Sequence, residues 1–412
     1  MTRTPTLATD RRVARRLAVP FAGATAVAAL LAACGSPPAN NAGSTASSAA
    51  SSVAAGASSA AGSASSAASQ AVSSDTATTS TPASPSSSSP AGGPFKACMV
   101  LDVGGVDDRS FNQSAWAGMQ AGKKANPNLD ISYVSSSSQN DYVPNLTNET
   151  KQGCKTTIAV GGLMTDAVTS VAKANPAINY AIIDSFIQQP NVYSMEFNTA
   201  QGGFLGGYLA AAMSKTGKVG TFGGLKIPPV TIYMDGFSEG VQYYNKQKGK
   251  KVAVLGWDEK SQNGTFANSF TDSGAGSTAA RTLQQQGADI IFPVAGGAGL
   301  GAGAVAQSSG GKLNLIWVDT DGCESAAQYC KYFISSVFKN ISGAVQTYLD
   351  SAIKGQRTGA YVGSLTNQGT GLSPFHQFDS KVPDQLKSEL KALSDDIANG
   401  KVVVQSKAQP KG

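Results

Sequence analysis

Acidic, amide and aromatic side chains gather directly after the first apolar run of the globular part of the chain. Residues Ala97–Leu101 predict a short buried strand, and Asp102 follows it. Asp108, Phe111 and Asn112 come next, beyond a glycine pair and at the start of a helical pattern. Carboxylates accept hydrogen bonds from hydroxyl and N–H groups, an amide donates and accepts, and an aromatic ring packs on a flat ligand face. Because ligands of open α/β sheets bind at the carboxyl ends of strands, this segment predicts a small-molecule site.

Two later apolar runs also end in carboxylates. Asp184 follows Tyr180–Ile183, and Asp319 follows Leu315–Val318. A turn or a helix cap is the alternative for either residue alone, but together with the first segment they favour one cleft. A carboxylate accepts both hydroxyls of a vicinal diol, which nucleosides and pentoses present. Paired carboxylates also serve glycosidases, so an enzyme that processes a nucleoside or a glycoside is one alternative.

The sequence offers little for catalysis, cofactors or nucleic acid. The run Gly296–Gly303 lacks the spacing of a dinucleotide-binding loop, and close approach of its backbone to a ligand is the other interpretation. The single histidine, His376, and the lack of a CxxC pair argue against zinc, and there is no nucleophile elbow. The formal net charge is +6, but this count includes the arginines of the N-terminal segment. The rest of the chain is closer to neutral and carries no basic stripe that would bind nucleic acid. We therefore predict no enzymatic activity, no cofactor, no metal and no nucleic-acid partner.

The N-terminal segment has the features of an export signal. Several arginines precede the apolar run Leu17–Ala33, and small residues lead directly into Cys34. Leu-Ala-Ala-Cys resembles a lipoprotein lipobox, in which the thiol receives fatty acyl chains such as palmitate. We predict a lipoprotein signal peptide over residues 1–33 and lipidation of Cys34, with an ordinary signal peptide as the alternative. Residues 34–95 are mostly Ser, Ala, Thr, Gly and Pro, and this composition predicts a disordered tether.

The remaining cysteines agree with export. They are Cys98, Cys154, Cys323 and Cys330. An even number in an exported chain predicts two disulfides, for which three pairings are possible. We favour Cys98 with Cys154, near adjacent strand starts, and Cys323 with Cys330, which closes a short loop. Free buried thiols are the alternative.

The residue pattern of the globular part of the chain predicts an α/β protein. From about residue 96, short apolar runs alternate with amphipathic stretches, which predicts βαβ units and parallel sheets. About 315 residues are too many for a domain built on one compact sheet, so two lobes are expected. The first would hold residues 96–200 and about 338–405, and the second about 201–337.

The segment after the first strand resembles the signature of the basic membrane protein family, also called the purine nucleoside receptor family. The family pattern of Asp-x-Gly and Asp-x-Ser-Phe-Asn is matched by Asp102, Gly104 and residues 108–112. Further similar blocks follow in the family's order over roughly residues 97–400: Ala181–Asp184, Phe204–Ala211, Gly217–Gly220, Phe292–Gly297 and Trp317–Asp321. The members are lipid-anchored substrate-binding proteins of bacterial ABC importers.

The resemblance implies a type I periplasmic-binding-protein fold, in which parallel sheets flanked by helices form two lobes. Three crossovers form the hinge, expected near Asn198, near residues 333–339 and near residues 371–375. Ligand would bind between the lobes.

The resemblance also implies the ligand-binding residues. They lie at strand ends, at turns and near the hinge: Asp102, Asp108, Phe111, Asn112, Asp184, Phe270, Gly297, Asp319 and Lys339. Phe111 and Phe270 are candidates for stacking on a base. Lys339 would contact a ring or ribose oxygen or pair with Asp319, and an exposed lysine near the hinge is the alternative.

The predicted function is that of a monomeric, lipid-anchored solute-binding protein on the extracytoplasmic face of the cell membrane. It would bind a nucleoside, with purine nucleosides favoured, and deliver it to the permease and ATPase subunits of an ABC importer. A receptor of the same fold for a sugar or another small polar metabolite is the first alternative.

Overall fold

The computed structural model describes residues 94–411, and strands alternate with helices along most of this range. The strands are β1 (Phe95–Leu101), β2 (Leu129–Ser135), β3 (Thr156–Val160), β4 (Asn179–Ile183), β5 (Val192–Phe197), β6 (Lys218–Gly223), β7 (Ala253–Leu255), β8 (Trp257–Asp258), β9 (Asn263–Gly264), β10 (Ile290–Val294), β11 (Asn314–Asp319), β12 (Phe333–Lys339), β13 (Gly359–Gly363) and β14 (Thr370–Leu372). The helices are α1 (Phe111–Ala125), α2 (Tyr142–Lys151), α3 (Thr165–Ala174), α4 (Thr199–Met213), α5 (Pro228–Lys248), α6 (Ser273–Gln285), α7 (Leu300–Ser308), α8 (Gly322–Ser325), α9 (Ile341–Ile353) and α10 (Asp384–Ala398).

Within the described range, these strands form two six-stranded sheets and one small antiparallel pair, β8 with β9. Sheet A has the order β13-β5-β4-β3-β1-β2, and all of its neighbouring strands are parallel. Sheet B has the order β14-β12-β11-β10-β6-β7 and is parallel except where β14 pairs with β12. The central strands β3 and β10 are buried along their whole length, as expected for parallel sheets covered on both faces. The predicted α/β fold is confirmed.

Helices cover both faces of each sheet. Helices α1 and α9 pack on one face of sheet A, and α2 and α3 on the other. Helices α4, α5 and α10 cover one face of sheet B, and α6 and α7 the other. The contact of α4 with α5 is close because it is lined by glycine: a Cβ on Gly207 would lie 2.0 Å from the Phe237 carbonyl oxygen.

The chain passes between the two sheets three times in the described range. The first passage lies between β5 and α4, and the second between β12 and α9. The third lies between β13 and β14, earlier than the expected residues 371–375, because Thr370–Leu372 already pairs with β12 in sheet B. These passages place residues of both sheets around one hinge.

Helix α10 packs with sheet B, whereas residues up to about 405 were expected in the first lobe. Its apolar stripe, which includes Leu386 and Leu390, joins the core that α4 and α5 form. The Tyr208 hydroxyl of α4 donates a hydrogen bond of 2.8 Å to Glu389 of α10. An amphipathic stripe predicts a buried helix face but does not specify which sheet covers it.

All four cysteines of the described range are in disulfides. Cys98 of β1 is bonded to Cys154, which lies two residues before the neighbouring strand β3, and Cys323 is bonded to Cys330. This is the pairing favoured from the sequence.

The predicted signal peptide, Cys34 and nearly all of the predicted tether lie outside the described residues. Among residues 94–411, none of the helices has the length and hydropathy needed to cross a bilayer.

Candidate functional site

A cleft opens between the carboxyl ends of sheets A and B. Its empty volume is about 550 Å³, which includes space open to solvent. Eight of the nine predicted ligand-binding residues line it: Asp102, Asp108, Phe111, Asn112, Asp184, Phe270, Asp319 and Lys339. The ninth, Gly297, does not line the cleft, and its neighbour Gly296 does. A 3₁₀ turn begins at Gly296 and carries Gly297 against the Phe270 carbonyl, so that a Cβ on Gly297 would lie 3.2 Å from that oxygen.

Asp184 and Asp319 occupy equivalent places in the two sheets. Asp184 follows β4, which lies between β3 and β5, and Asp319 ends β11, which lies between β10 and β12. Both have left-handed backbones, with φ values of 65° and 64°. This conformation disfavours most side chains but is tolerated by Asp, and such residues often occur at functional sites.

Lys339 lies between these two carboxylates. Its Nζ is 2.7 Å from Asp184 Oδ2 and 3.7 Å from Asp319 Oδ1, and its side chain is 3% exposed. Burial alone would lower the pKa of the Lys339 ammonium, but Asp184 and Asp319 outweigh burial and raise it. We call Asp184, Asp319 and Lys339 the lysine group. Its buried lysine rules out the alternative of an exposed residue near the hinge.

Two hydroxyl groups donate to Asp319. The Tyr233 hydroxyl of α5 lies 2.8 Å from Oδ1, and the Ser110 hydroxyl at the start of α1 lies 2.7 Å from Oδ2. Burial raises the pKa of Tyr233 well above its usual value, and the charge of Asp319 raises it further, so the phenol stays protonated. Sequence reasoning missed both donors. Ser110 belongs to the family block and could have been found, whereas nothing distinguishes Tyr233 from a core residue of a helix.

A second set of buried polar side chains surrounds the end of β1, and we call Asp102, Asp108 and Asn112 the β1 group. Asn112 Nδ2 donates to Asp102 Oδ1 at 2.7 Å and to Asp108 Oδ2 at 3.2 Å. Asp108 also accepts the backbone N–H groups of Ser110, Asn112 and Gln113, which caps the start of α1. Burial raises the pKa of Asp102 and raises that of Asp108 to about 7, although these N–H donors oppose the shift at Asp108.

One acceptor of the β1 group lacks a hydrogen-bond donor within the described range. Because both carboxylates hold Asn112 Nδ2, its amide oxygen is directed elsewhere, and buried Oδ1 has no hydrogen-bond partner among the described residues. A buried oxygen without a donor is costly, and a ligand N–H or O–H group can supply one. The backbone around it is close: a Cβ on Gly104 would lie 2.6 Å from Asn112 Nδ2.

Two aromatic rings reach the cleft from opposite halves. Phe111 begins α1, which packs on sheet A, and Phe270 precedes α6, which packs on sheet B. The Phe111 ring centroid is 4.7 Å from Lys339 Nζ, a distance at which a cation attracts a ring face. The Phe270 carbonyl accepts the Ala298 N–H at 2.9 Å, which ties its loop to the turn that carries Gly296.

The described residues build no open metal site. Two groups of side chains bring possible ligand atoms together, Cys98 with Glu149 and Cys154, and Asp321 with Cys323 and His376. In both groups the cysteine sulfurs are in disulfides and cannot act as thiolate ligands.

Sequence comparison relates most of the chain to one protein family. Residues 95–407 match the Bmp family, described as ABC transporter substrate-binding protein PnrA-like. The ABC transporter nucleoside-binding protein BmpA of Lactococcus lactis subsp. cremoris is 30% identical over 332 residues, which cover 76% of this chain and 89% of that protein. Basic membrane protein A1 of Borrelia garinii subsp. bavariensis is 32% identical over 317 residues, which cover 75% and 88%.

Solved structures of solute-binding proteins share the fold of this chain. A solute-binding protein of an ABC transporter system from Aeropyrum pernix K1 superposes with a TM-score of 0.67 and 24% identity, covering 76% of this chain and 94% of that one. A solute-binding protein of an ABC transporter system from Conexibacter woesei superposes with a TM-score of 0.58 and 21% identity, covering 75% and 98%.

Proposed function

This chain belongs to the family of PnrA-like ABC transporter substrate-binding proteins, and from this membership we propose that its ligand is a nucleoside, with purine nucleosides favoured. It is a substrate-binding protein and not an enzyme. Proteins of this family act outside the cytoplasm, where they bind a small ligand and pass it to an ABC permease and its ATPase. The name of the Lactococcus relative supports the choice of a nucleoside.

The observation that carries the proposal is that one cleft holds two aromatic rings and two separate carboxylate groups. Phe111 and Phe270 offer ring faces to a planar base. In the lysine group, Asp319 offers acceptors to the two hydroxyls of a ribose. In the β1 group, Asp102 and the unpaired Asn112 oxygen offer acceptors to N–H groups on the edge of a base.

The charge of the cleft favours an uncharged ligand. Asp102, Asp108, Asp184 and Asp319 line it, and Lys339 is the one basic side chain among its described lining residues. A phosphate group would face more carboxylates than cations and would lose its hydration without a partner. We therefore expect nucleosides to bind and nucleotides to be rejected.

Binding would couple to closure of two lobes, built on sheets A and B, about the three passages of the chain. Ligand that contacts both halves stabilises the closed arrangement over an open one, which is how hinged binding proteins respond to ligand. The permease would then distinguish the loaded from the empty protein.

Titration calorimetry with adenosine, inosine, adenosine monophosphate and ribose tests the proposal. We expect both nucleosides to bind, and the monophosphate and free ribose to bind at least tenfold more weakly. Asp319→Ala should lower the affinity for both nucleosides by one to two decades, because a buried charge-assisted hydrogen bond contributes about 1.5–3 kcal/mol. Phe111→Ala should weaken nucleoside binding by about 1–3 kcal/mol, by analogy with base stacking on aromatic side chains, and should leave the binding of ribose unaffected.

Tight binding of ribose or another sugar, with no binding of any nucleoside, would replace the proposal by the sugar receptor. Mass spectrometry of the ligand released from purified protein by denaturation provides an independent check on its identity.

We also propose that Cys34 anchors the protein in the membrane through a lipid. The lipobox-like Leu-Ala-Ala-Cys sequence supports this proposal. Cys34→Ala should release the protein from the detergent phase or leave an unprocessed precursor. Normal processing with unchanged partitioning of the variant would refute it.

A further inference from the structure

We propose that Tyr233 is a positioning residue that fixes the Asp319 carboxylate for a ribose diol, so that the site prefers ribonucleosides to nucleosides without the 2′ and 3′ hydroxyls. This inference rests on the nucleoside function proposed above. It concerns a residue of α5 that no motif identifies.

The Tyr233 ring is held firmly in place. Tyr233 is 1% exposed, and its ring packs edge-on against Phe292 of β10 with centroids 5.8 Å apart. Tyr233 lines the cleft, and its hydroxyl lies 2.8 Å from Asp319 Oδ1. The phenol also stays protonated, because burial and the nearby charge of Asp319 raise its pKa well above the usual value. It is therefore a permanent donor to one oxygen of Asp319.

Tyr233 differs in this respect from Ser110, the other hydroxyl donor to Asp319. Ser110 starts α1, which packs on sheet A, whereas Tyr233 and Asp319 both belong to the half built on sheet B. The bond from Ser110 spans the cleft and depends on how the two halves are arranged. The bond from Tyr233 lies within one half, so it orients the carboxylate before ligand arrives, which lowers the cost of binding.

Lys339 makes this orientation necessary. Its Nζ is 3.7 Å from Asp319 Oδ1 and 2.7 Å from Asp184 Oδ2, so the ammonium lies closer to Asp184. Without the phenol, Oδ1 would lose this hydrogen-bond donor, and the Lys339 ammonium would draw the carboxylate toward itself. A diol needs both carboxylate oxygens in one orientation, while a ligand without the diol does not use them. Loss of the Tyr233 hydroxyl should therefore penalise ligands that carry the diol.

The test compares Tyr233→Phe with wild type by titration calorimetry, using adenosine and 2′,3′-dideoxyadenosine. We expect adenosine to bind about tenfold more weakly to Tyr233→Phe, and dideoxyadenosine to bind within twofold of wild type. Tyr348→Phe is the matched control, because Tyr348 is also fully buried and its hydroxyl bonds to Thr156, away from the cleft. This control should change the affinity for neither ligand.

A double-mutant cycle with Asp319→Asn separates positioning from general packing. If Tyr233 acts through Asp319, the Tyr233→Phe change should alter adenosine affinity by less than twofold in the Asp319→Asn background. Equal weakening of both ligands by Tyr233→Phe, no weakening of adenosine, or additive effects in the cycle would each overturn the inference and leave the nucleoside function intact. A wild-type protein that binds no nucleoside would instead refute the proposed function, and with it this inference.

Discussion

The cleft holds two groups of buried carboxylates that differ in how their charge is balanced. In the lysine group, the Lys339 ammonium lies between Asp184 and Asp319. In the β1 group, Asp102 and Asp108 form no ion pair with a cation of the described range and rely on Asn112 and on backbone N–H groups. The sheets place both groups at the carboxyl ends of strands, so the difference comes from their neighbours and not from their position in the fold.

The two groups therefore differ in what opposes the effect of burial on the pKa of their carboxylates. In the lysine group, burial raises the pKa of Asp184, and the nearby ammonium of Lys339 opposes that shift. Hydrogen bonds without a cation do not offset burial in the β1 group, and the pKa of Asp108 rises to about 7. A β1 group that takes up protons near neutral pH can both donate and accept hydrogen bonds, which suits the mixed edge of a base.

The largest effect is expected from removing the cation of the lysine group. Lys339→Met should lower the free energy of unfolding by about 3–5 kcal/mol, because two buried carboxylates lose their partner. Urea unfolding at neutral pH measures the loss. The difference in the free energy of unfolding between the variant and wild type should become smaller as the pH falls, since protons can then neutralise the unpaired carboxylates of the variant.

Lys387→Met is the matched control for that prediction. Lys387 also pairs with a carboxylate, Asp379 at 2.8 Å, but its side chain is 27% exposed and that of Asp379 is 65% exposed. The control should change stability little, because solvent screens an exposed ion pair. Equal losses for the two lysine variants would show that burial does not distinguish the lysine group from a surface pair.

The next effect is expected in the β1 group, and it depends on pH. Because the folded-state pKa of Asp108 is about 7, above its usual value of 3.8, the folded state holds this proton more tightly than the unfolded state. The resulting stabilisation is fully present below about pH 4 and is lost as the pH rises to about 7. Wild type should therefore lose stability relative to Asp108→Asn over this window, by up to about 1.4 kcal/mol per pH unit.

Urea unfolding of both proteins from about pH 4 to about pH 9 measures this difference. The hydrogen bonds that asparagine cannot accept shift the variant's curve by a roughly constant amount, so the informative quantity is the change with pH. Parallel curves for the two proteins would mean that Asp108 is ionised throughout, and the contrast between the two groups would then be lost.

The smallest effect is expected at the residue that joins the two groups. The buried Ser110 hydroxyl donates to Asp319 Oδ2, and the Ser110 backbone N–H donates to Asp108. Ser110→Ala removes only the hydroxyl bond, and about 1 kcal/mol of stability should be lost. Thr347→Ala is the control, because its hydroxyl bonds to an exposed helix carbonyl and should matter little. A loss as large as that of Lys339→Met would mean that the bond between the halves stabilises the lysine group as much as the ammonium does.

Much of the fold and part of the site could be predicted because the relevant signals are local in the chain. Consecutive residues specify a strand followed by a polar turn and a helix, and the carboxyl ends of parallel strands meet at one edge of the sheet. Asp102, Asp184 and Asp319 could therefore be assigned to a cleft from the residue order alone. The family blocks added Phe111 and Lys339 in the same way, residue by residue.

Contacts between distant segments, and the charges that depend on them, follow from the tertiary structure. Ser110 and Asp319 are 209 positions apart, and Tyr233 and Asp319 are 86 apart, so no local pattern joins them. The packing of α10 on sheet B likewise depends on which apolar surface is left to cover. The order of residues along the chain specifies which side chains end the strands. Their burial, their donors and the presence of a cation beside them arise where the two sheets meet, because those properties depend on three-dimensional proximity and not on position in the sequence.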